Sequence, residues 1–301
     1  MASQFTFRGV ATALVTPMLP GGEIDFEALK ELVEFQITSG VNGLVPVGTT
    51  GESATMTAEE DHKVIDTVME QANGRVPIIV GAGSNSTREA IAAVAYAKQA
   101  GANAVISVGP YYNKPTQQGF FEHYKAITEE VDLPVYIYNV PGRTGSNINA
   151  ETTLKLAELP GIAGIKEASG NMGQVMEILR HRRRHFVVLS GDDALTLPMM
   201  AAGADGVISV VSNEVPAEFT QMVALCLAGD FVKARVLHER LFDLMNMNFI
   251  ESNPIPAKSA LSMMGMIHEA YRLPLTPMTL DHKFQLRRVL EELSLVEHVG
   301  V

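Results

Sequence analysis

A single cysteine in 301 residues, Cys226, excludes an intramolecular disulfide and any cysteine-rich metal site, and it fits a reducing compartment. Positive charge is also scarce. Twenty-three Lys and Arg stand against 34 Asp and Glu, a formal net charge of −11, so no overall basic field exists to draw nucleic acid or anionic lipid. No apolar stretch reaches the ~18 residues of a membrane-spanning helix. The opening Met1-Ala2-Ser3-Gln4-Phe5-Thr6-Phe7-Arg8 lacks the basic head and apolar run of a secretory leader, so a cytoplasmic location is expected. The eight histidines include no His-Glu-x-x-His pair. No Gly-Lys-Ser/Thr completes a P-loop, and Gly81-Ala82-Gly83-Ser84-Asn85-Ser86 lacks the third glycine of a dinucleotide fingerprint. No metal and no separate cofactor is expected, and small-molecule partners remain.

What the chain does have is 47% hydrophobic residues, arranged as short β-rich runs alternating with amphipathic helical patterns. Strands are predicted at 9–14, 43–47, 76–81, 104–108, 134–138, 162–166, 186–190 and 206–210. Helix starts are marked by capping-box spacings at Thr57/Glu60 and Ser86/Glu89 and by the N-cap candidates Asp25 and Asn149. Gly40, Gly74, Gly101, Gly161 and Gly203 are placed to end helices in a left-handed conformation. Eight such units close most naturally into one (β/α)8 barrel, because closure leaves no edge strand. The barrel is expected over 1–228, followed by a C-terminal helical region over 229–301 packed on it, with helices near 231–247, 257–266 and 283–293. Cys226 reads as a buried core thiol, and the basic run His181-Arg182-Arg183-Arg184-His185 as a solvated helix end.

In this fold the chemistry sits at the C-terminal ends of the strands. The polar residues there include Thr49, Thr50, Tyr111, Tyr112, Tyr138, Arg143, Lys166, Glu167, Asp192 and Asp193. Lys166 differs from the helical lysines by terminating the apolar run Ile162-Ala163-Gly164-Ile165. Desolvation there favours the neutral amine, which can attack a ketone to give an iminium that acidifies the adjacent carbon. The alternatives are a buried Lys166–Glu167 ion pair or a lysine that snorkels its ammonium to water. Tyr138 ends the neighbouring strand, within reach as a proton shuttle, although a tyrosine with its ring inside and hydroxyl in water would leave the same trace. Backbone N–H groups and hydroxyls of Gly48-Thr49-Thr50-Gly51-Glu52-Ser53 suit a carboxylate, and Arg143 suits a second one.

Those segments, together with Pro110-Tyr111-Tyr112-Asn113, Tyr138 through Gly145, Gly164-Ile165-Lys166-Glu167-Ala168, Ser190-Gly191-Asp192-Asp193 and Asn253-Pro254-Ile255-Pro256, stand in the order of the dihydrodipicolinate synthase family of pyruvate-dependent class I aldolases. The resemblance runs nearly end to end. It implies a Schiff base between Lys166 and pyruvate, with Tyr138 as proton donor and acceptor. Thr49 and a neighbouring subunit's residue matching Tyr112 would complete a proton relay. It further implies that Thr50, Gly191 and the Ile208 backbone contact pyruvate, that Arg143 binds the carboxylate of L-aspartate 4-semialdehyde, and that the enzyme is a lyase on the route to diaminopimelate and lysine. A homotetramer built as a dimer of dimers is implied as well. Ser53, Ala54, Asn85, Glu89 and Tyr111 match positions lining a lysine-effector site. Ala58 and Asp61 stand where lysine-sensitive enterobacterial members have histidines, so strong feedback inhibition is not implied. The nearest rival is another lyase of the same mechanism, an N-acetylneuraminate lyase or a 2-keto-3-deoxy-sugar aldolase. Such a lyase is expected to lack Arg143 and to carry Ser-Thr in place of Thr49-Thr50.

Overall fold

The computed structural model describes residues 5–298. Residues 1–4, part of the segment read for a leader, and 299–301, the end of the expected helical region, lie outside them. Eight strands form one sheet: β1 (Gly9–Ala13), β2 (Gly43–Val45), β3 (Ile79–Gly81), β4 (Ala104–Val108), β5 (Val135–Asn139), β6 (Ile162–Glu167), β7 (Val187–Ser190) and β8 (Gly206–Ser209). The strand pairs within it are parallel, in the order β2-β1-β8-β7-β6-β5-β4-β3. Leu44 opposite Ile78 closes the ring, with Leu44 N–H donating to Pro77 O at 3.1 Å and Gly81 N–H to Pro46 O at 3.0 Å. The expected (β/α)8 barrel is thus the observed architecture. Prolines trim the expected strands. Pro46, Pro77 and Pro134 have no N–H to give the ladder, so β2 stops at Val45 while β3 and β5 start after their proline.

The connecting helices are α1 (Phe26–Thr38), α2 (Ala58–Ala72), α3 (Thr87–Gln99), α4 (Gln117–Glu130), the single turn α5 (Pro141–Thr144), α6 (Ala150–Leu156), α7 (Met172–His181), α8 (Thr196–Ala201) and α9 (Pro216–Leu227). Asp25 and Asn149 cap α1 and α6 by accepting from Ala28 N–H and Thr152 N–H. Thr57 and Glu60 form both bonds of a capping box at α2. Ser86 accepts from Glu89 N–H, but the reciprocal bond is missing because the Glu89 carboxylate instead accepts from Ser84 Oγ at 2.9 Å. The five helix-ending glycines all have positive φ.

Side chains alternate across the strands, as a period of two demands. One set packs outward against the helices; the other fills the barrel, with Ala11, Val45, Ile79, Leu189 and Ile208 in its centre. Phe7 closes the lower end and donates its N–H to Tyr136 Oη at 3.1 Å. Gly164 leaves the space that the Tyr136 ring occupies, since a Cβ there would lie 2.9 Å from Tyr136 Cε1 and 2.4 Å from Val187 O.

Beyond α9 the chain forms α10 (Phe231–Met247), α11 (Ile255–Met263) and α12 (Leu280–Glu292). α11 begins two residues before the expected 257 because Pro256 is tolerated in a first helical turn, and it ends before Gly265, at φ +76°. Leu244, Leu261, Leu286 and Leu290 of these helices belong to the same apolar core as the barrel's outer face. The basic run meets the expectation at His181, Arg183 and Arg184, which are exposed after the end of α7, but not at Arg182. Arg182 is no solvated helix end: it pairs with Asp205 and donates to Phe186 O and Gly203 O, tying the foot of β7 to that of β8. Cys226 is buried. No helix among the described residues is long and apolar enough to cross a membrane.

Candidate active site

A cavity of about 1250 Å³ opens at the C-terminal ends of the strands. It has an inner part within the barrel mouth and an outer branch between α2 and α3. Lys166 projects into the inner part from the end of β6, in register with Tyr138 of β5 and Leu189 of β7. It is 7% exposed, its Nζ lies 4.2 Å from the centroid of the Tyr138 ring, and it makes no ion pair among the described residues. The expected competitor for its charge is turned away. Glu167, the next residue on the strand, points to the opposite face and accepts from Asn139 Nδ2 at 3.0 Å, Gln174 Nε2 at 3.0 Å and Ser169 N–H at 2.7 Å. Burial pushes the Lys166 ammonium down to about 8; Asp193 pulls back against that shift, and Arg143 adds to it.

Asp193 sits behind the lysine, with Oδ2 accepting from Val210 N–H at 3.0 Å and Val211 N–H at 2.8 Å. Burial raises its carboxyl to about 6, against the pull of those N–H groups. Tyr138 is half-buried and its phenol is pushed up to about 12 by burial, so it stays protonated and able to donate at neutral pH. Gly191 has to be glycine beside this lysine. A Cβ there would meet Ala168 Cβ at 2.7 Å, Lys166 Cε at 2.9 Å and Lys166 Cγ at 3.0 Å.

Thr49, Thr50, Arg143, Gly191 and Ile208 all line the same cavity. Thr50 is buried and its Oγ1 accepts from Asn253 Nδ2 at 2.9 Å, whereas Thr49 is exposed and makes no hydrogen bond to Tyr138 within the chain. Arg143, on α5, is exposed, and its Nη2 donates to Asn253 O at 3.2 Å. Tyr112 stands apart: it is 88% exposed, holds φ +71° and does not line the cavity of its own chain. In the outer branch the structure brings together Ser53, Ala54, Glu89 and Tyr111 with Ala58 and Asp61. Asn85 lies behind them, donating through Nδ2 to Tyr111 O at 3.2 Å. Burial, assisted by Glu60, raises the Asp61 carboxyl to about 7.

Sequence reasoning missed a second buried lysine. Lys258 of α11 is fully enclosed, with Nζ 2.5 Å from Glu52 Oε1, and the pair pins the Thr49–Glu52 turn to the C-terminal helices. Glu52 needs that anchor, since it holds φ +58°. Unlike Lys166, Lys258 has its carboxylate, which offsets the downward push of burial. The apolar residues Ala257, Ala260 and Leu261 around it were the available signal. Asn253 was read only as part of a motif, yet it touches both Thr50 and Arg143.

A sequence model of the dihydrodipicolinate synthetase family matches residues 6–293. A 4-hydroxy-tetrahydrodipicolinate synthase of Prosthecochloris aestuarii is 52% identical over 295 residues, 98% of this chain and 99% of that protein. Among solved structures, a dihydrodipicolinate synthase of Acinetobacter baumannii, described as chloride inhibited and complexed with pyruvate, is 45% identical with a TM-score of 0.95, covering 97% of this chain and 100% of that one. The enzyme of Cyanidioschyzon merolae with lysine bound is 42% identical with a TM-score of 0.94, covering 96% and 99%. A family model spanning nearly the whole chain and relatives of this similarity along its full length show that the protein belongs to the dihydrodipicolinate synthetase family.

Proposed function

We propose that the protein is a lyase that condenses pyruvate with L-aspartate 4-semialdehyde to give 4-hydroxy-tetrahydrodipicolinate and water, on the route to diaminopimelate and lysine. The observation that carries the chemistry is Lys166, a buried amine with no ion pair among the described residues, seated against the Tyr138 ring at the barrel mouth. Its neutral form attacks C2 of pyruvate, and Tyr138 relays the protons as the carbinolamine loses water to an iminium. The iminium acidifies the methyl group, which loses a proton to become an enamine. The enamine carbon attacks the aldehyde of the second substrate. The amino group of that substrate then displaces Lys166 from C2, closing the ring and freeing the enzyme, so no cofactor beyond this covalent link enters. Thr50, Gly191 and the Ile208 backbone seat the keto acid, while Arg143 on the rim takes the second carboxylate.

Tyr112 fits a role across an interface: an exposed aromatic in a left-handed backbone conformation would complete the relay through Thr49 of another copy, within a homotetramer. The outer branch fits a lysine-effector site formed by Ser53, Ala54, Asn85, Glu89 and Tyr111, with weak feedback because Ala58 and Asp61 replace basic side chains. The single cysteine and acidic surface suit the cytoplasm.

The test is a pyruvate-consumption assay that compares aspartate 4-semialdehyde with N-acetylmannosamine and glyceraldehyde. Consumption restricted to the semialdehyde is expected. Preference for either sugar-derived aldehyde refutes the reading in favour of a sugar-acid lyase.

A further inference from the structure

We propose that Asp193 and Glu214 form a buried carboxyl pair behind Lys166, in which Glu214 keeps the proton and Asp193 the negative charge that faces the lysine nitrogen. The assignment rests on the amine capture proposed above. Glu214 ends the helical turn Val211–Asn213 that follows β8 and is 1% exposed. Asp193, also buried, lies at the opening of the same turn, where Val210 and Val211 N–H hold its Oδ2. The two acids repel one another, so ionising both in one enclosed place is costly.

Which acid keeps the proton follows from the groups around each. Two backbone N–H donors favour the charged form of Asp193. Glu214 instead meets the side chain of Asn248, the fully enclosed residue that ends α10. Glu214 Oε1 and Oε2 and Asn248 Nδ2 and Oδ1 are all buried, and none makes a hydrogen bond of regular geometry among the described residues. A neutral acid satisfies the four atoms together: its O–H donates to Oδ1 while Nδ2 donates to its carbonyl oxygen. A carboxylate accepts from Nδ2 but sets its other oxygen against Oδ1, acceptor facing acceptor. Burial, with Asp193 adding to it, pushes the Glu214 carboxyl well above its ordinary range, in agreement. Charged groups on the neighbouring elements have other partners: Lys258 of α11 pairs with Glu52, Glu218 of α9 with Arg240, and His238 of α10 bonds to Ala194 O. Asp192 works with burial to raise Asp193. The consequence is for the iminium. Once pyruvate is captured, the lysine nitrogen holds a positive charge away from water, and a buried cation needs a facing anion. With the proton fixed on Glu214, the pair offers one negative charge, on the member nearer Lys166.

Full-length wild type, Glu214→Gln and Asp193→Asn would be compared in two measurements. In infrared spectra at neutral pH, wild type is expected to show the carbonyl stretch of a protonated carboxylic acid that Glu214→Gln loses. Any contribution from Asp61 or Asp193 is common to both proteins and cancels in the difference. In the pH dependence of borohydride-trapped pyruvate adduct formation, Glu214→Gln is expected to keep the midpoint near 8, because it removes no charge. Asp193→Asn removes the charge and moves the midpoint to lower pH. A wild-type protein without the acid band overturns the pairing. So does a midpoint that falls in Glu214→Gln or stays put in Asp193→Asn, since the charge would then sit on the wrong member. A wild-type protein that shows the band but forms no pyruvate adduct at any pH overturns the amine capture, and the counter-charge role with it.

Discussion

The pH dependence of amine capture can be worked out from where Lys166 sits. Burial brings its ammonium down to about 8 from the ordinary value of 10.5. At pH 7 about one amine in eleven is then neutral, against roughly three in ten thousand for an ordinary lysine, a gain of about 300-fold in nucleophile. The sign follows directly: capture of pyruvate needs the neutral form, so its rate rises with pH through about 8 and levels above it. Measured as the initial rate of adduct formation at low pyruvate, quenched with borohydride and weighed by intact mass, the acid limb is expected to bend near pH 8. A limb still climbing steeply past pH 9.5 would show that the protein does not depress this amine and would refute the argument. Asp193→Asn adds a second arm. The Asp193 carboxylate favours the charged lysine, and an amide retains an oxygen for Val210 and Val211 N–H, so the midpoint is expected to move to lower pH. A midpoint that stays put or rises would contradict the coupling.

Two substitutions test the scaffold around the lysine. Gly191→Ala places a methyl group 2.9 Å from Lys166 Cε and 2.7 Å from Ala168 Cβ, so adduct formation should fall by about a hundredfold for a displacement near 1 Å; an unaltered rate would mean the lysine has room to move aside. Lys258→Met leaves the Glu52 carboxylate buried without its cation and should cost about 3–5 kcal/mol in a urea titration, partly recovered by adding Glu52→Gln, whereas a loss under 1 kcal/mol would remove the pair from any anchoring role.

The barrel was legible because its signals are local. Prolines and glycines punctuate each unit within a few residues of the strand they bound, and Asp25, Thr57 and Asn149 sit three residues from the N–H groups they cap. Lys166 was legible for the same reason, since its apolar strand neighbours are adjacent in sequence. What stayed hidden depends on contacts between distant segments. Thr50 meets Asn253 across 203 positions and Glu52 meets Lys258 across 206, and no periodicity encodes such pairs. Lys258 and Lys166 look alike as lysines among apolar residues; what separates an anchor from a nucleophile is that Lys258 is bonded directly to the Glu52 carboxylate while Lys166 makes no ion pair among the described residues. Ser86/Glu89 and Arg182 failed locally because Ser84 and Asp205 were better partners than the motif anticipated.

The central claim is tested most directly by incubating the protein with pyruvate and borohydride, digesting it and locating the reduced adduct by peptide mass spectrometry. The account predicts one adduct per chain, on the peptide that contains Lys166, with Lys258 untouched in its ion pair with Glu52. An adduct on Lys258 or on a helix-surface lysine, or no adduct at any pH up to 9, would contradict it.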